Sequence, residues 1–392
     1  MKRETLTDPR RFKRRLKQKS NMALKYASYE LGAEHAPTFP DRVYVESTNV
    51  CNLDCIMCPT GLHIDTRPKG FMDWELYTAI IDEIAPFAEA VVLHSWGEPL
   101  LHKRIFDMIS YAKAKGLWVE TSTNATRLDE AAARKILAAG LDRIYLSMDG
   151  LTKETYEKVR VKGNFEEVLA NIERFLDLKH ELGSPIEADV QIVHLSETDA
   201  EVEAFVRRWK DSHADIINIK ELDTWGGQIQ DVSDLAIESD AETGEPAAET
   251  GGGLVDGERK PCPNLWYHCH IHWDGVLVSC SRDYDAVTPL GNVKNGGVLK
   301  TWHGARMRMM RRWHLDGNFC AHQCVNCTEW SWWKPTPFLG GGTGGKVERV
   351  STNEGADTAD GPRRPEKTLT LVDGGGSSGC ESCAEDTTEV AQ

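Results

Sequence analysis

The 392 residues, 40% of them hydrophobic, suffice for two domains with extensions. A formal net charge of −15 argues against general affinity for nucleic acid, and without a run of about 18 apolar residues no transmembrane helix is expected. Eleven cysteines, behind a start that lacks the apolar stretch of a secretory signal, favour metal ligands over disulfides and a reducing cytoplasm.

The charge is unevenly placed. Lysines and arginines crowd residues 2–19, with Asp8 as an N-cap and Pro9 in the first turn of a predicted basic helix. Residues 1–41 read as a helical extension, solvated and leading into the first domain. Contact with an anionic lipid surface, nucleic acid or an acidic partner is the other use of such charge.

From 42 to 225, β-branched runs alternate with amphipathic stretches. Strands are predicted at 43–47, 90–95, 117–121, 143–147, 186–193 and 215–220. Helices are predicted at 74–87, 104–114, 129–139, 165–182 and 201–212. Strands separated by helices imply βαβ units, a parallel sheet and right-handed crossovers. The fold class is therefore α/β, and six units are too few for a closed eight-fold barrel.

Just after the first strand lie Cys51, Cys55 and Cys58. Thiolates are soft ligands suited to iron–sulfur clusters, which usually take four of them. Three without a local fourth suggest a 4Fe–4S cluster with one iron left open. A zinc knuckle or a buried cysteine group is the other reading of three cysteines alone.

The CxxxCxxC spacing after a first strand resembles the signature of the radical S-adenosylmethionine (SAM) superfamily. The resemblance implies a partial, TIM-like (β/α)6 barrel with its chemistry at the C-terminal ends of the strands. It also implies reductive cleavage of SAM to a 5′-deoxyadenosyl radical that abstracts a substrate hydrogen atom. Gly97, Glu98 and Pro99 resemble the family's GGEP motif for the SAM amino group, with Trp96 in place of the usual first glycine. On the same resemblance Ser147 serves the SAM ribose or carboxylate, and Arg160 the carboxylate. Asn124 and Gln191 are weaker candidates for SAM contacts.

Residues 226–260 are polar, acidic and glycine-rich, and are expected to form a flexible linker. Beyond them come Cys262, Cys280, Cys320, Cys324 and Cys327. Asp274 and Gly275, between two apolar runs, predict a tight β-hairpin that returns Cys280 toward the start of its strand. The pattern resembles the SPASM extension and its shorter relative, the twitch domain. It implies a small hairpin-and-helix iron–sulfur domain over 261–339, with Cys262, Cys280, Cys324 and Cys327 holding an auxiliary 4Fe–4S cluster. Cys320 is an alternative ligand, Cys269 reads as a plain thiol, and a four-thiolate zinc site is the competing reading.

A fully protein-ligated cluster implies electron transfer, hence oxidation of a substrate radical. Family members with such extensions include alcohol dehydrogenases and peptide or protein side-chain maturases. Oxidation also needs a proton acceptor, for which Asp283 is the candidate, with Arg282 and Asp285 beside it. His268, His270 and His272 alternate on one strand and share a face, expected to be solvated. A helix over 302–313 would turn Met307 and Met310 inward, and the aromatic run from Trp330 would pack the second domain or lid the barrel. Residues 340–392 are expected to be disordered, and Cys380 and Cys383 within them receive no role. The partners implied are a reductant such as flavodoxin or ferredoxin and a small-molecule or peptide substrate. The competing reading from another class is a non-catalytic iron–sulfur or zinc carrier or scaffold.

Overall fold

The computed structural model describes residues 9–237, 259–327, 330 and 347–351. Expectations for Asp8, the rest of the linker, the aromatic run after Trp330, Cys380 and Cys383 lie outside these residues.

The first lobe runs α1 (Pro9–Glu30), β1 (Arg42–Val45), α2 (Trp74–Ile84), β2 (Ala90–Val92), α3 (Ile105–Ala114), β3 (Trp118–Thr123), α4 (Glu130–Ala139), β4 (Arg143–Ser147), α5 (Lys153–Val159), α6 (Phe165–Glu181), β5 (Glu187–His194), α7 (Val202–Lys210) and β6 (Ile216–Glu221). β1 to β6 pair in parallel and in chain order. Side-chain caps set several helix starts: Asp73 accepts from the amides of Glu75 and Leu76, and Asp129 from that of Ala132.

The strand period of two sorts residues between the faces. Val43 and Val45, Val119, Ala188 with Val190 and Ile192, and Ile217 are fully buried under the helix layer. Ile81 of α2, Ile109 of α3, Ile172 and Phe175 of α6, and Trp209 of α7 complete that core. The alternate positions, among them Tyr44, Glu120, Ser147, Gln191 and Lys220, line one cavity. The sheet therefore curves around a polar interior as a partial barrel.

The second lobe holds α8 (Gln230–Ser233), α9 (Asn264–Tyr267), β7 (His268–Ile271), β8 (Val276–Val278), β9 (Gly291–Asn292), α10 (Val298–Trp302) and α11 (Ala305–Leu315). β7 pairs in parallel with β1, Val43 opposite Cys269, so this lobe's hairpin continues the barrel sheet. β7 and β8 are antiparallel, and Gly275 turns between them at φ +88. On the opposite edge, β10 (Val347–Ser351) pairs antiparallel with β6.

Four expectations need correction. The histidines are not solvated: His268, His270 and His272 are all at most 5% exposed, because β7 is an interior strand of the sheet. Residues 226–237 are folded, with Val232 fully buried and Ile229 packed in the same cluster as Leu53 and Met57. The helix expected over 302–313 is α11, which starts at Ala305 because Trp302 ends the preceding α10, whose Val298 and Leu299 amides donate to the Glu83 carboxylate. The first helix is docked: Lys25 is fully buried against Asp41 at 2.8 Å, and Asn21 exchanges two hydrogen bonds with the backbone of Phe39. No helix among the described residues is long and apolar enough to cross a membrane.

Candidate active site

The loop after β1 is held from both ends. Asn49 exchanges bonds with the backbone of Pro68 and Gly70, while the amides of Asp54 and Ile56 donate to the carbonyls of Val161 and Val159 at the end of α5. A Cβ on Gly61 would lie 2.4 Å from the Cys55 backbone, so the turn tolerates no side chain there. Cys51, Cys55 and Cys58 thereby line one cavity of about 450 Å³.

Two sulfurs are met by donors. The Asn124 amide lies 3.9 Å from Cys51 Sγ, and the Arg160 guanidinium 3.8 Å from Cys55 Sγ. Burial pushes the Cys55 thiol up to about 12, with Arg160 opposing. Arg160 is itself aimed by Asp149 at 2.6 Å, and Asp149 accepts from the Val193 amide at 2.7 Å. Above the loop, Trp225 donates to the Met57 carbonyl at 2.8 Å. Its ring lies 4.9 Å from that of Trp96, which in turn meets Tyr284 of the second lobe.

Gly97 takes φ +81, and a Cβ there would fall 2.6 Å from the Thr48 carbonyl oxygen. The next amide, of Glu98, donates to Val50 at 2.9 Å. The Glu98 carboxylate is buried and accepts from the amides of Leu100 and Asn124 and from the Thr123 hydroxyl. Burial raises its pKa and these donors oppose the shift. Glu98 therefore clamps the loop after β2 to the end of β3. Pro99 opens a short 3₁₀ turn directly behind it. On the adjoining strands, Ser147 Oγ accepts from the Gln191 amide at 2.8 Å.

Deeper in the cavity the β7 histidines and Arg282 are joined by further polar residues. Arg42 pairs with Glu120 at 2.8 Å, and Glu120 also accepts from Trp118 and Tyr145. Burial works against the Glu120 charge, and Arg42 overrides it, holding the carboxyl below its usual range. Tyr44 stacks on His270 at 4.2 Å. Burial pushes His94 and His268 down to about 4, which leaves both imidazoles neutral. The signal available in sequence was polar residues at alternate positions of strands whose other face is apolar.

The second lobe gathers distant cysteines. Cys262 precedes α9, Cys280 follows β8, and Cys324 and Cys327 follow α11. Burial, then the neighbouring Cys280, pushes the Cys262 thiol up to about 12. Cys324 is shifted the same way by burial, then by Cys280 and Cys262. The Cys327 amide donates to the Cys324 carbonyl, and Cys327 Cβ lies against Gly226. No three His, Cys, Asp or Glu among the described residues are arranged to hold one metal ion; a four-iron cluster instead spreads its thiolates over separate irons.

Three further residues can be placed. Cys320 is half-buried against the apolar core. Cys269 is buried in the apolar core. Asp283 is buried outside the cavity, its carboxylate accepting from the amides of Val287 and Thr288; it organises its own turn and does not face the interior.

Comparison with known proteins identifies the arrangement. Residues 45–208 match the radical SAM superfamily. That stretch is a radical SAM domain by this match. Residues 262–328 match SPASM, an iron–sulfur cluster-binding domain. A radical SAM domain implies a 4Fe–4S cluster and SAM, and a SPASM domain implies auxiliary iron–sulfur clusters.

Among curated relatives, the AdoMet-dependent heme synthase of Methanosarcina barkeri is 35% identical over 135 residues, 34% of this chain and 38% of that protein. The mycofactocin maturase MftC of Mycobacterium ulcerans is 30% identical over 132 residues, 34% of this chain and 35% of its own. The chain thus spans little more than a third of the length of such relatives. Among solved structures, Streptococcus suis SuiB bound to precursor peptide SuiA has a TM-score of 0.56 at 11% identity, covering 83% of this chain and 76% of that one. AdoMet-bound anSMEcpe has a TM-score of 0.50 at 16% identity, covering 76% and 93%. At those identities the likeness concerns the fold.

The residues present fit the cofactors. Three thiols from one loop face an open cavity, donors stand at two of the sulfurs, and Gly97 brings bare backbone to the same rim.

Proposed function

We propose that this radical SAM chain is an enzyme that removes a hydrogen atom from its substrate and then oxidises the substrate radical. Alcohol dehydrogenation and peptide or protein side-chain modification are the two forms of that reaction considered. When bound, SAM and the cluster supply a 5′-deoxyadenosyl radical for the abstraction, and an auxiliary cluster supplies the electron acceptor.

In this reading Cys51, Cys55 and Cys58 hold the catalytic cluster, and Cys262, Cys280, Cys324 and Cys327 the auxiliary one. Gly97, Glu98, Pro99, Ser147, Arg160 and Asn124 shape the SAM side of the cavity. Asn124 and Arg160 favour the thiolate forms of Cys51 and Cys55 by placing donors at their sulfurs. Trp96 and Trp225 exclude water above the loop. Asp283 drops out as the proton acceptor, since its oxygens are spent on its own turn. A flavodoxin or ferredoxin in the cytoplasm serves as reductant.

The observation that carries this reading is a single cavity lined both by the three-cysteine loop and by polar residues on the inner faces of six strands. The test is anaerobic purification, with iron and sulfide counted and reductive SAM cleavage assayed on one sample. About eight irons per chain with 5′-deoxyadenosine formation is expected. A fully loaded chain that leaves SAM intact would instead be an electron carrier.

A further inference from the structure

We propose that the barrel interior binds a carboxylate of the substrate on Lys220, so that this enzyme acts on an acid. The inference rests on the reading above, in which the cavity is the substrate chamber.

Lys220 lies near the C-terminal end of β6. Its neighbours Ile217 and Ile219 pack in the apolar core, whereas Asn218 and Lys220 line the cavity. Among the described residues the Lys220 ammonium has no ion-pair or hydrogen-bond partner. The other cations of the cavity are matched: Arg42 with Glu120 at 2.8 Å, Arg160 with Asp149 at 2.6 Å, and Arg282 with Asp223 at 2.7 Å. Glu98 is satisfied by amides and a hydroxyl, and Glu221 has an interaction of its own.

The Lys220 side chain is exposed toward the cavity it lines. Loss of solvent around it lowers the Lys220 pKa, with Asp149, Asp223 and Asp189 opposing and Arg160 adding to the fall. An anionic ligand entering the cavity would supply the missing partner. Neutral polar groups stand ready to complete the site. His94, whose pKa reflects both burial and the Lys220 charge, has Nδ1 without a partner, as does His270. His270 is 5% exposed and is fixed by its stack on Tyr44.

One unmatched cation among neutral imidazoles suits a singly charged group. A phosphate is usually met by arginine forks or helix N-terminal amides, and each arginine of this cavity already has a carboxylate. An uncharged substrate would leave the ammonium facing the cavity without a counter-charge. SAM also carries a carboxylate, so the test must separate the two acids.

The experiment footprints lysines of the full-length holoprotein by amine acylation, read by mass spectrometry, at constant ionic strength and without oxygen. SAM alone is expected to leave Lys220 labelling unchanged. With SAM present, acetate, benzoate or succinate is expected to slow labelling of Lys220 severalfold while the other lysines are unaffected, and benzamide is expected to have no effect. Calorimetry of the protecting acid should show about tenfold weaker binding to Lys220→Met and near-normal binding to Lys220→Arg. Protection by SAM alone, equal protection by benzamide, stronger protection by phenyl phosphate, or protection by none of the acids would each overturn the proposal. SAM cleavage is scored on the same wild-type sample. Cleavage without acid protection sinks the Lys220 assignment alone, and protection without cleavage sinks the radical reading alone.

Discussion

The two cysteine sites are built in opposite ways. Cys51, Cys55 and Cys58 come from one loop, anchored locally by Asn49 and by the backbone at the end of α5. Cys262, Cys280 and Cys324 come from three separate elements and meet only because β7 joins β1 and α11 packs on α9. Between those two helices, Arg311 is fully buried and donates to the Leu265 carbonyl at 2.9 Å. The first site is a property of a loop, the second a property of a fold. A loop loses function when a ligand is removed, whereas a packed site is lost whenever its walls loosen.

The largest effect that tests this contrast is at the loop. Cys58→Ala should lower SAM cleavage by at least about 100-fold with the fold retained, read by product formation and circular dichroism. Cys280→Ala should spare cleavage yet stop product oxidation; a loss of cleavage there would make the two sites one functional unit. Next comes the packing of the second lobe. Trp302 is fully buried, with its indole N–H on the Thr38 carbonyl at 2.8 Å. Trp302→Ala should cost about 3–5 kcal/mol in denaturant unfolding and should strip auxiliary iron before loop-bound iron. Equal loss from both sites would break the comparison.

A smaller effect is expected at Gly97. Its φ of +81 and the 2.6 Å approach to Thr48 make Gly97→Ala cost about 1–3 kcal/mol, concentrated in weaker SAM binding measured by calorimetry. The smallest concerns the seam between the lobes. Burial pushes His268 down to about 4 and His272 to about 3. Below pH 6.5 the unfolded chain takes up protons at these residues that the folded chain refuses, so stability falls as pH falls toward those values. Each should contribute about 1 kcal/mol of loss between pH 7 and 5.5, read from thermal midpoints. His272, with neither ring nitrogen partnered, tests this directly: His272→Leu should flatten that slope, and an unchanged slope would place the titration elsewhere.

Much of this molecule was legible before folding was considered. The three-cysteine loop, the Gly97–Glu98–Pro99 turn and the alternation of strands with helices depend on neighbours in the chain, so they leave a pattern in it. Glu98 shows where that legibility ended. Its position was readable, but its engagement by Leu100, Thr123 and Asn124 required β3 to lie beside β2. Asp283 shows the reverse failure: a carboxylate near Cys280 suggested chemistry, yet two backbone amides claimed it. The same holds for the β7 histidines, whose burial follows from a parallel pairing with a strand more than 200 residues away.

The chain alone thus determined the fold class, the loop cysteines and the two-lobed order, because hydrophobic period and short ligand spacing are local quantities. Tertiary structure decided which polar residues face the cavity, how its charges pair, and that Lys220 is left over among the described residues. Those outcomes depend on strand order, sheet curvature and the approach of side chains from different strands. No single stretch of sequence carries that information, since electrostatic partners are set by distance in space.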